Sequence, residues 1–415
     1  MHKSIKQGSL QGLFADRQQL EQRILDNLNS FTASLNNHHA FYKGRLSPIK
    51  SLSEIVKWPL TTKEDLLAYP SSDWWHTNIP LMQFQSSSGS QGKPFVTAYT
   101  KNDLFLFSEA VGRCLKHAGV KKGDTIHNAY GYGLFTGGIG LHLGARHLDL
   151  RVIPASSGQS LRQVELIHML RPEVIAATPS YLVHLIELYN TTYKEDFPPE
   201  IALVGAEPWS ELTKKWIEKH SKTAALNIYG LSEIIGPGVA QNGMYHEGSI
   251  VWEDLFYPEV IDPNTGQTMP EGSWGELVLT SFTREATPLV RYRTGDITRL
   301  LSPVDGLPFR RIDRIRGRTD DMIKVKGVKV FVSDIESVLG SFSGEISPYF
   351  EIEITQNTQD PIRLVFEAKS PENLSIQRLQ NLIKSRLGLT LPIRVVAPNT
   401  LPRAEQGKSK KIKYL

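Results

Sequence analysis

The stretch Ser86-Ser87-Ser88-Gly89-Ser90-Gln91-Gly92-Lys93-Pro94 gathers hydroxyls, glycines and a lysine between two apolar segments. Glycines let the backbone curl so that successive N–H groups converge on an anion. The hydroxyls add donors, and Lys93 adds a mobile positive charge. Together these groups suit a triphosphate. The plain alternative is a flexible Ser/Gly loop. Lys93-Pro94 closing the stretch, and Val96–Thr100 reading as a strand behind it, favour an ordered turn. It is not a Walker A loop, whose pattern is Gly-x-x-x-x-Gly-Lys followed by Ser or Thr. Ser87 stands where the first glycine belongs, and Pro94 follows the lysine. A P-loop NTPase is disfavoured, and a different nucleotide-handling architecture is implied.

Further along, Gly131-Tyr132-Gly133-Leu134-Phe135-Thr136-Gly137-Gly138 matches a dinucleotide turn only in part. Thr136 occupies the place of the third glycine of G-x-G-x-x-G, and no suitably placed acid follows a second strand. A glycine-lined wall bearing aromatic rings fits better and suits a flat substrate. Tyr229-Gly230-Leu231-Ser232-Glu233 sets a ring, a bend, a hydroxyl and a carboxylate beyond a strand. Tyrosine can stack on a purine, and glutamate can hold Mg2+ directly or through water. Taken alone, the same residues read as a strand-to-helix turn in which Ser232 caps and Glu233 faces the dipole.

Arg291-Tyr292-Arg293-Thr294-Gly295-Asp296 offers a carboxylate after a glycine turn, able to accept both ribose hydroxyls. Arg316-Gly317-Arg318-Thr319-Asp320-Asp321 falls at an apparent domain boundary. Each of these two also reads as a surface salt-bridge cluster, and the boundary position adds a hinge as an alternative. The tail from Pro402 to Lys413 is either a solvated charge run or a Gly-Lys turn that delivers one lysine to developing phosphate charge.

The elements that must hold these groups follow from periodicity. Leu20, Ile24, Leu28, Phe31 and Leu35 recur at helical spacing and predict an amphipathic N-terminal helix. Thr61-Thr62-Lys63-Glu64-Asp65 reads as a threonine-capped helix start with acids in its first turn. Trp74-Trp75 reads as packing. Asp103–Lys116 is helix-like. Asp124–Asn128, Arg151–Pro154, Val174–Ala177, Ile201–Val204 and Ala224–Ile228 read as buried strands, separated by helical Gln163–Leu170, Tyr181–Tyr189 and Glu211–His220. Such alternation predicts a parallel α/β sheet with ligands at the carboxyl ends of its strands. The polar, glycine-bearing stretches at 130–133, 205–208 and 229–233 all follow such strands. Ile250–Trp252, Glu259–Ile261, Glu276–Thr280 and Leu289–Arg293 predict shorter strands of a β-rich subdomain. Beyond Arg316 a hairpin around Gly327, helices Ser333–Leu339 and Ile376–Leu387, and strands Phe350–Ile354, Arg363–Glu367 and Ile393–Ala397 predict a small α+β domain.

Composition sets the bounds. The chain has 415 residues, 40% hydrophobic and 22% charged, an ordinary soluble globular balance whose length suits two or three domains. A formal charge of +4 gives no warrant for nucleic-acid binding. One cysteine, Cys114, excludes an internal disulfide and a cysteine-based zinc site. No apolar run reaches the ~18 residues of a membrane span, and the first residues are polar rather than a signal segment. A cytoplasmic enzyme without a membrane partner is expected.

Taken together and in order, these motifs resemble the acyl-adenylate-forming superfamily of acyl-CoA synthetases, adenylation domains and luciferases. The phenylacetate–CoA ligase family resembles this chain most. The stretches that carry the resemblance are Ser87–Pro94, Ala129–Gly140, Thr178–Tyr181, Gly205–Trp209, Tyr229–Val239, Trp252–Asp254, Arg291–Thr298, Gly317–Gly327 and Pro402–Lys408, spanning about residues 60 to 410.

The resemblance implies a large N-terminal α/β adenylation domain over 1–316, with 250–316 its β-rich subdomain. It also implies a small mobile C-terminal α+β domain over 317–415. It implies ATP-dependent activation of an aryl or arylacetic acid as an acyl adenylate, then transfer to a thiol. Coenzyme A is the expected acceptor; a carrier protein or an amine is the alternative. A non-catalytic nucleotide-binding homologue is a further alternative.

By the same resemblance Ser87, Ser88, Gly89, Ser90, Gln91, Gly92 and Lys93 would hold the β and γ phosphates. Glu233 would hold Mg2+. Gly205, Ala206, Glu207, Pro208 and Tyr229 would frame adenine, with Asn227, Gly230, Leu231 and Ser232 in the same nucleotide site. Asp296 would bind ribose, helped by Arg318. Lys408 would bridge carboxylate and phosphate during adenylation, and Asp320 would be the hinge. The acyl pocket would be lined by Tyr130, Gly131, Gly133, Phe135, Ala206, Ile234, Ile235, Gly236 and Pro237. A homodimer is an allowed assembly. The chain departs from the family between Ser302 and Arg311, where many relatives carry metal-binding cysteines and this chain has none, so no zinc is expected. It also departs at Lys329 and Val332, where relatives have Asn and Pro, and in the tryptophan-bearing Asp73–His76 segment.

Overall fold

The N-terminal helix α1 (Arg17–His38) buries Leu20, Ile24, Leu28 and Leu35, as the spacing predicts. The fifth buried position belongs to Thr32 rather than Phe31; its hydroxyl is satisfied by Leu28 O at 2.9 Å, so it can sit inside. This computed structural model describes residues 16–415 except 77, 88–93, 245, 305, 321, 326–327, 356–361, 369–373 and 404–410. The chain divides into two units. One contains Met1–Asp124, Gly131–Pro154 and Leu226–Arg314; the other contains Thr125–Tyr130, Ala155–Ala225 and Ile315–Leu415.

In the first unit, helix α2 (Lys63–Ala68) starts with a reciprocal cap between Thr62 and Asp65. Trp74 is buried, while its neighbour Trp75 is half-buried against Phe84. Strands β1 (Leu81–Ser86) and β2 (Val96–Thr100) form an antiparallel hairpin. Helix α3 (Lys101–His117) follows, capped by Thr100 and Asp103. Strand β3 (Thr125–Asn128) lies in the second unit.

The glycine-rich stretch then becomes helix α4 (Thr136–His147), which the sequence reading did not include. Its glycines serve helix contact. A Cβ on Gly144 would fall 2.4 Å from Val111 Cγ1, and one on Gly140 would fall 2.4 Å from Phe107 Cζ. Only bare backbone lets α4 approach α3 this closely. Strand β4 (Arg151–Ile153) ends this segment.

The second unit carries the alternation seen in the sequence: α5 (Ser160–Leu170), β5 (Val174–Ala177), α6 (Pro179–Tyr193), β6 (Ile201–Val204) and α7 (Glu211–Ser221). Strands β3, β5 and β6 pair in parallel, with Ile126 opposite Val174 and Val174 opposite Ile201. Every residue of β5 is buried, as expected for a strand covered on both faces.

Strand β7 (Ala224–Leu231) turns back into β8 (Gly236–Asn242), followed by β9 (Ser249–Val251), all antiparallel. The first unit continues with β10 (Tyr257–Ile261), β11 (Gly275–Thr280) and β12 (Tyr292–Thr298), again antiparallel, and then with the short β13 (Leu300–Leu301) and β14 (Arg311–Ile312). The sequence placed a strand at Leu289–Arg293; the strand begins only at Tyr292. The reason is Arg291, whose backbone is left-handed (φ +47°) and whose guanidinium is buried on Glu259 at 2.9 Å. A left-handed residue cannot continue an extended ladder.

Residues 315–415 supply β15 (Gly317–Arg318), the hairpin β16 (Ile323–Val325) and β17 (Val328–Val330), α8 (Val332–Leu339), β18 (Ile346–Ile354), β19 (Ile362–Ala368), α9 (Ile376–Leu387), β20 (Ile393–Val396) and β21 (Ile412–Tyr414). Four of the strands form a sheet in the order β20-β19-β18-β21. Strand β21, absent from the sequence reading, pairs in parallel with β18. Ile335, Leu339, Phe350, Leu364, Leu379 and Ile383 make the core here, and Leu212 of α7 joins it. Tyr349, Val365 and Leu401 in turn join the buried cluster around α6. The architecture is a large N-terminal α/β part with mixed sheets followed by a smaller α+β C-terminal part. No described helix is long and apolar enough to cross a membrane.

Candidate functional site

The turn between β7 and β8 carries Gly230, Ser232 and Glu233. A Cβ on Gly230 would lie 1.9 Å from Gly236 O, so only glycine lets the two strands close this tightly. The amides of Ile234 and Ile235 both point to Leu231 O, at 3.1 and 3.2 Å. The sequence left open a strand-to-helix turn with Ser232 as a cap. The structure corrects this: a strand follows, no helix does, and the Ser232 hydroxyl bonds Thr136 Oγ1 at 3.1 Å.

Glu233 is 7% exposed. Among the described residues it has no hydrogen-bond or ion-pair partner. A carboxylate taken out of water needs a compensating cation or donors. With none among the described residues, Glu233 differs in this from the ion-paired acids Glu253, Asp254 and Glu259.

Asp296 meets the same turn by a different device. It lies within β12 rather than after a turn. The ladder between β11 and β12 pairs Val278 with Arg293 and Glu276 with Ile297, so residues 294–296 bulge opposite Leu277 alone. Gly295 takes φ +78° there. Thr294 Oγ1 donates to Leu277 O at 2.8 Å and accepts from the Asp296 amide at 3.0 Å, while Glu276 Oε1 accepts the Gly295 amide at 3.1 Å. The bulge aims Asp296 so that Tyr229 OH donates to its Oδ2 at 2.6 Å. The proposed adenine ring platform and the proposed ribose acid are thus joined directly.

The glycine–aromatic wall is fixed from two sides. Ser86 N donates to Leu134 O at 2.7 Å, and Tyr132 OH meets His142 Nδ1 at 3.1 Å. Gly133 has φ +128° and Gly236 φ +114°. A Cβ on Gly236 would lie 2.6 Å from Phe107 Cζ and 2.8 Å from Thr136 Cβ. Ile234 and Ile235 are fully buried, and their carbonyls accept from Arg284 and from Tyr99 OH, at 2.9 and 2.8 Å. Pro237 lies in β8 beside Gly236. The serine-rich loop stands on an ordered base: Ser87 N donates to Phe95 O at 3.0 Å and Ser87 Oγ accepts the Phe95 amide at 3.1 Å. Ser88, Gly89, Ser90, Gln91, Gly92 and Lys93 lie outside the described residues, as does Lys408.

The second unit carries the remaining residues. Gly205, Ala206, Glu207 and Pro208 follow β6, and Ala206 is held left-handed at φ +69°, a strained conformation for a residue with a Cβ. Glu207 Oε1 accepts the Ser180 amide at 2.7 Å, at the start of α6. That places its carboxylate on a helix N-terminus and ties the loop down. Tyr130 is buried, and burial pushes its phenol up, with Glu207 acting in the same direction. Arg318 Nε donates to Asp320 Oδ1 at 2.9 Å, so the proposed ribose helper and the proposed hinge are ion-paired to each other. Sequence reasoning missed Thr136 as a partner of Ser232 and Ser180 as the anchor of Glu207.

The Trp252-Glu253-Asp254 stretch is structural. Glu253 is fully buried and accepts Arg310 Nε at 2.7 Å and Arg17. Burial pushes its carboxyl up, but Arg310 and Arg17 outweigh that and hold it below the usual range. Asp254 takes Arg113 at 2.8 Å.

Comparison with known proteins follows the same order of motifs. A family model described as AMP-binding enzyme matches residues 87–282, and one described as AMP-binding enzyme C-terminal domain matches 327–413. A phenylacetate-coenzyme A ligase of Thermus thermophilus is 41% identical over 390 residues, covering 88% of this chain and 87% of that protein. This chain belongs to the phenylacetate–CoA ligase family. A second member, from Escherichia coli (strain K12), is 40% identical over 371 residues, covering 86% of this chain and 84% of that enzyme. In three dimensions the chain is similar to a 2-hydroxyisobutyryl-CoA ligase solved with an AMP-linked ligand, at TM-score 0.85 and 23% identity, over 95% of this chain and 89% of that one. At that identity the likeness concerns the fold.

Proposed function

We propose that this chain is an ATP-dependent, AMP-forming ligase that activates an aromatic carboxylic acid and passes it to coenzyme A. The observation that carries the reading is the buried Tyr229–Asp296 pair together with buried Glu233, which has no partner among the described residues, in a member of this ligase family. In the first half-reaction a carboxylate oxygen attacks the α-phosphorus of ATP and the bond to pyrophosphate breaks. In the second, the thiol sulfur attacks the acyl carbon, the acyl–oxygen bond to AMP breaks, and the thiol proton leaves.

The residues take the following parts. The Ser87–Lys93 loop cradles the β and γ phosphates through backbone N–H groups, hydroxyls and Lys93. Tyr229 stacks on adenine with the Gly205–Pro208 loop, and Asn227 and Gly230–Ser232 complete that site. Asp296 accepts the ribose hydroxyls, helped by Arg318. Mg2+ fits Glu233, a buried carboxylate without a partner among the described residues, and would supply positive charge to the phosphates there; such ions are held by one or two carboxylates plus phosphate oxygens. Lys408 bridges the reacting carboxylate and the phosphate. Asp320 is the hinge between a domain of residues 1–316 and a mobile one of 317–415. Gly131, Gly133, Phe135, Ile234, Ile235, Gly236 and Pro237, with Tyr130 and Ala206, line the acyl pocket. Ile234 and Ile235 are apolar and buried, a lining that suits a planar ring.

The test is acid-dependent ATP–pyrophosphate exchange without coenzyme A, across benzoates, phenylacetates, cinnamates, heteroaryl acids and short fatty acids. Exchange confined to an aryl subset is the expected outcome. Exchange on fatty acids alone, or silence on every acid with ATP still bound, would refute the reading.

A further inference from the structure

Residues 315–415 share a unit with the α5–α7 layer, and their contacts are chemically specific. Tyr349 OH donates to Glu187 Oε2, on α6, at 2.7 Å. Arg403 Nε lies 3.6 Å from the same oxygen, and its guanidinium carbon sits 3.5 Å from the centre of the Tyr349 ring. Behind it, Glu367 (1% exposed) accepts both terminal nitrogens of Arg403, at 2.8 and 3.1 Å, and the Leu401 amide at 2.8 Å. The C-terminal part therefore holds Arg403 through Glu367, its nearer carboxylate, and Glu187 adds a second, longer ionic contact from α6. Burial pushes the Glu187 carboxyl up, and Tyr349 and Arg403 are the groups that favour its charge there.

The position of Arg403 gives this contact a use. It directly precedes residues 404–410, which include Lys408, and Lys411 directly follows them. Lys411 is anchored too. Its amide oxygen accepts from Ile352 N at 2.7 Å, and its ammonium donates to Pro348 O at 3.3 Å and lies 4.5 Å from the Phe350 ring centre. Glu207 of the loop after β6 is among the carboxylates that act on that ammonium. The flank at Arg403 thus meets α6 of the α5–α7 layer, while the flank at Lys411 is held on β18.

We infer that Glu187 is a positioning residue for adenylation: by holding Tyr349 and Arg403 on α6, it docks the flank of the Lys408 segment for the first half-reaction and plays no part in the second. The inference rests on the reading above, in which Lys408 serves adenylation alone. An ionic contact outside the reacting groups suits such a role, since it can be made and broken as the domain moves.

Glu187→Gln, Glu187→Ala and Tyr349→Phe test it. Gln keeps an oxygen for Tyr349 and loses only the charge. Two rates are read for each variant: ATP–pyrophosphate exchange, and thioester formation from a supplied aryl adenylate plus coenzyme A. Glu187→Ala should lose about tenfold in exchange, the worth of one charge-assisted hydrogen bond. Glu187→Gln should lose less, and the second rate should match wild type in all three. Melting temperatures identify any variant that simply fails to fold, and for that case Gln and Phe are the conservative forms. Equal loss in both half-reactions, or unchanged exchange in Glu187→Ala, overturns the inference. Wild-type exchange is measured first. Its absence on every acid would sink the assigned reaction and this inference with it, whereas normal wild-type exchange that Glu187→Ala matches would sink the inference alone.

Discussion

Gly230→Ala is the sharpest perturbation available at the nucleotide turn. The added methyl would sit 1.9 Å from Gly236 O, whereas ordinary contact begins at 3.4 Å. The obstruction is backbone on the facing strand, so no side chain can swing aside. Either the β7–β8 turn opens by about 1.5 Å or the strands part, and misplacements of about 1 Å cost roughly 100-fold when reacting groups must be held in line. The same overpacking costs about 1–3 kcal/mol of stability. Ser232 and Glu233 ride on this turn, so the expected result is a fall of about 100-fold in ATP–pyrophosphate exchange with a melting point only a few degrees lower. Gly344→Ala, with nothing within 4 Å of its new methyl, is the control and should match wild type in both measurements. A soluble Gly230→Ala enzyme with wild-type exchange would show that the close strand approach does not set the geometry of Glu233, and the reasoning would fail.

Three further outcomes are expected. Tyr229→Phe removes the donor to Asp296 Oδ2; a hydrogen bond to a charged group is worth about 1.5–3 kcal/mol, so KM for ATP should rise tenfold or more in exchange assays, while KM for the acid should not change. Lys408→Ala should abolish exchange yet leave thioester formation from a supplied acyl adenylate largely intact, as paired half-reaction assays would show; equal losses would remove Lys408 from its role. His127 is fully buried and its Nε2 faces Gln163 Oε1 at 2.8 Å, leaving Nδ1 buried without a partner among the described residues. Burial lowers its pKa to about 4. The unfolded chain binds this proton near pH 6.5 and the folded one does not, so stability should fall by about 3 kcal/mol as the pH drops from 6.5 to 4. Urea melts across that range should flatten in His127→Gln relative to wild type; parallel slopes would refute the assignment.

The distribution of what was legible has a physical pattern. Local signals read well: the Thr62 and Thr100 caps are short-range hydrogen bonds, and the strands Val174–Ala177 and Ile201–Val204 are apolar runs whose burial follows from side-chain type. The order of motifs along the chain also named the family, because nucleotide chemistry constrains residue types at each loop.

Other features arise only when distant segments meet. The Gly131–Gly138 stretch read as a ligand-lining wall from its composition, but nothing in it announced helix α4, whose Gly140 and Gly144 are bare because α3 presses against it. Ser232 read as a helix cap, since nothing local announces that β8 returns against β7 within a few residues. The reach of Asp296 to Tyr229 depends on a bulge set by register with β11, and register is a property of two strands, not one. The same holds for Glu187, an unremarked acid on a helix in the sequence, which gains its partners Tyr349 and Arg403 only from more than 160 positions later. Sequence by itself determined the family and the order of its chemistry-bearing groups along the chain. Tertiary structure decided which of them touch, because contact depends on strand register and on the approach of bare backbone across the fold.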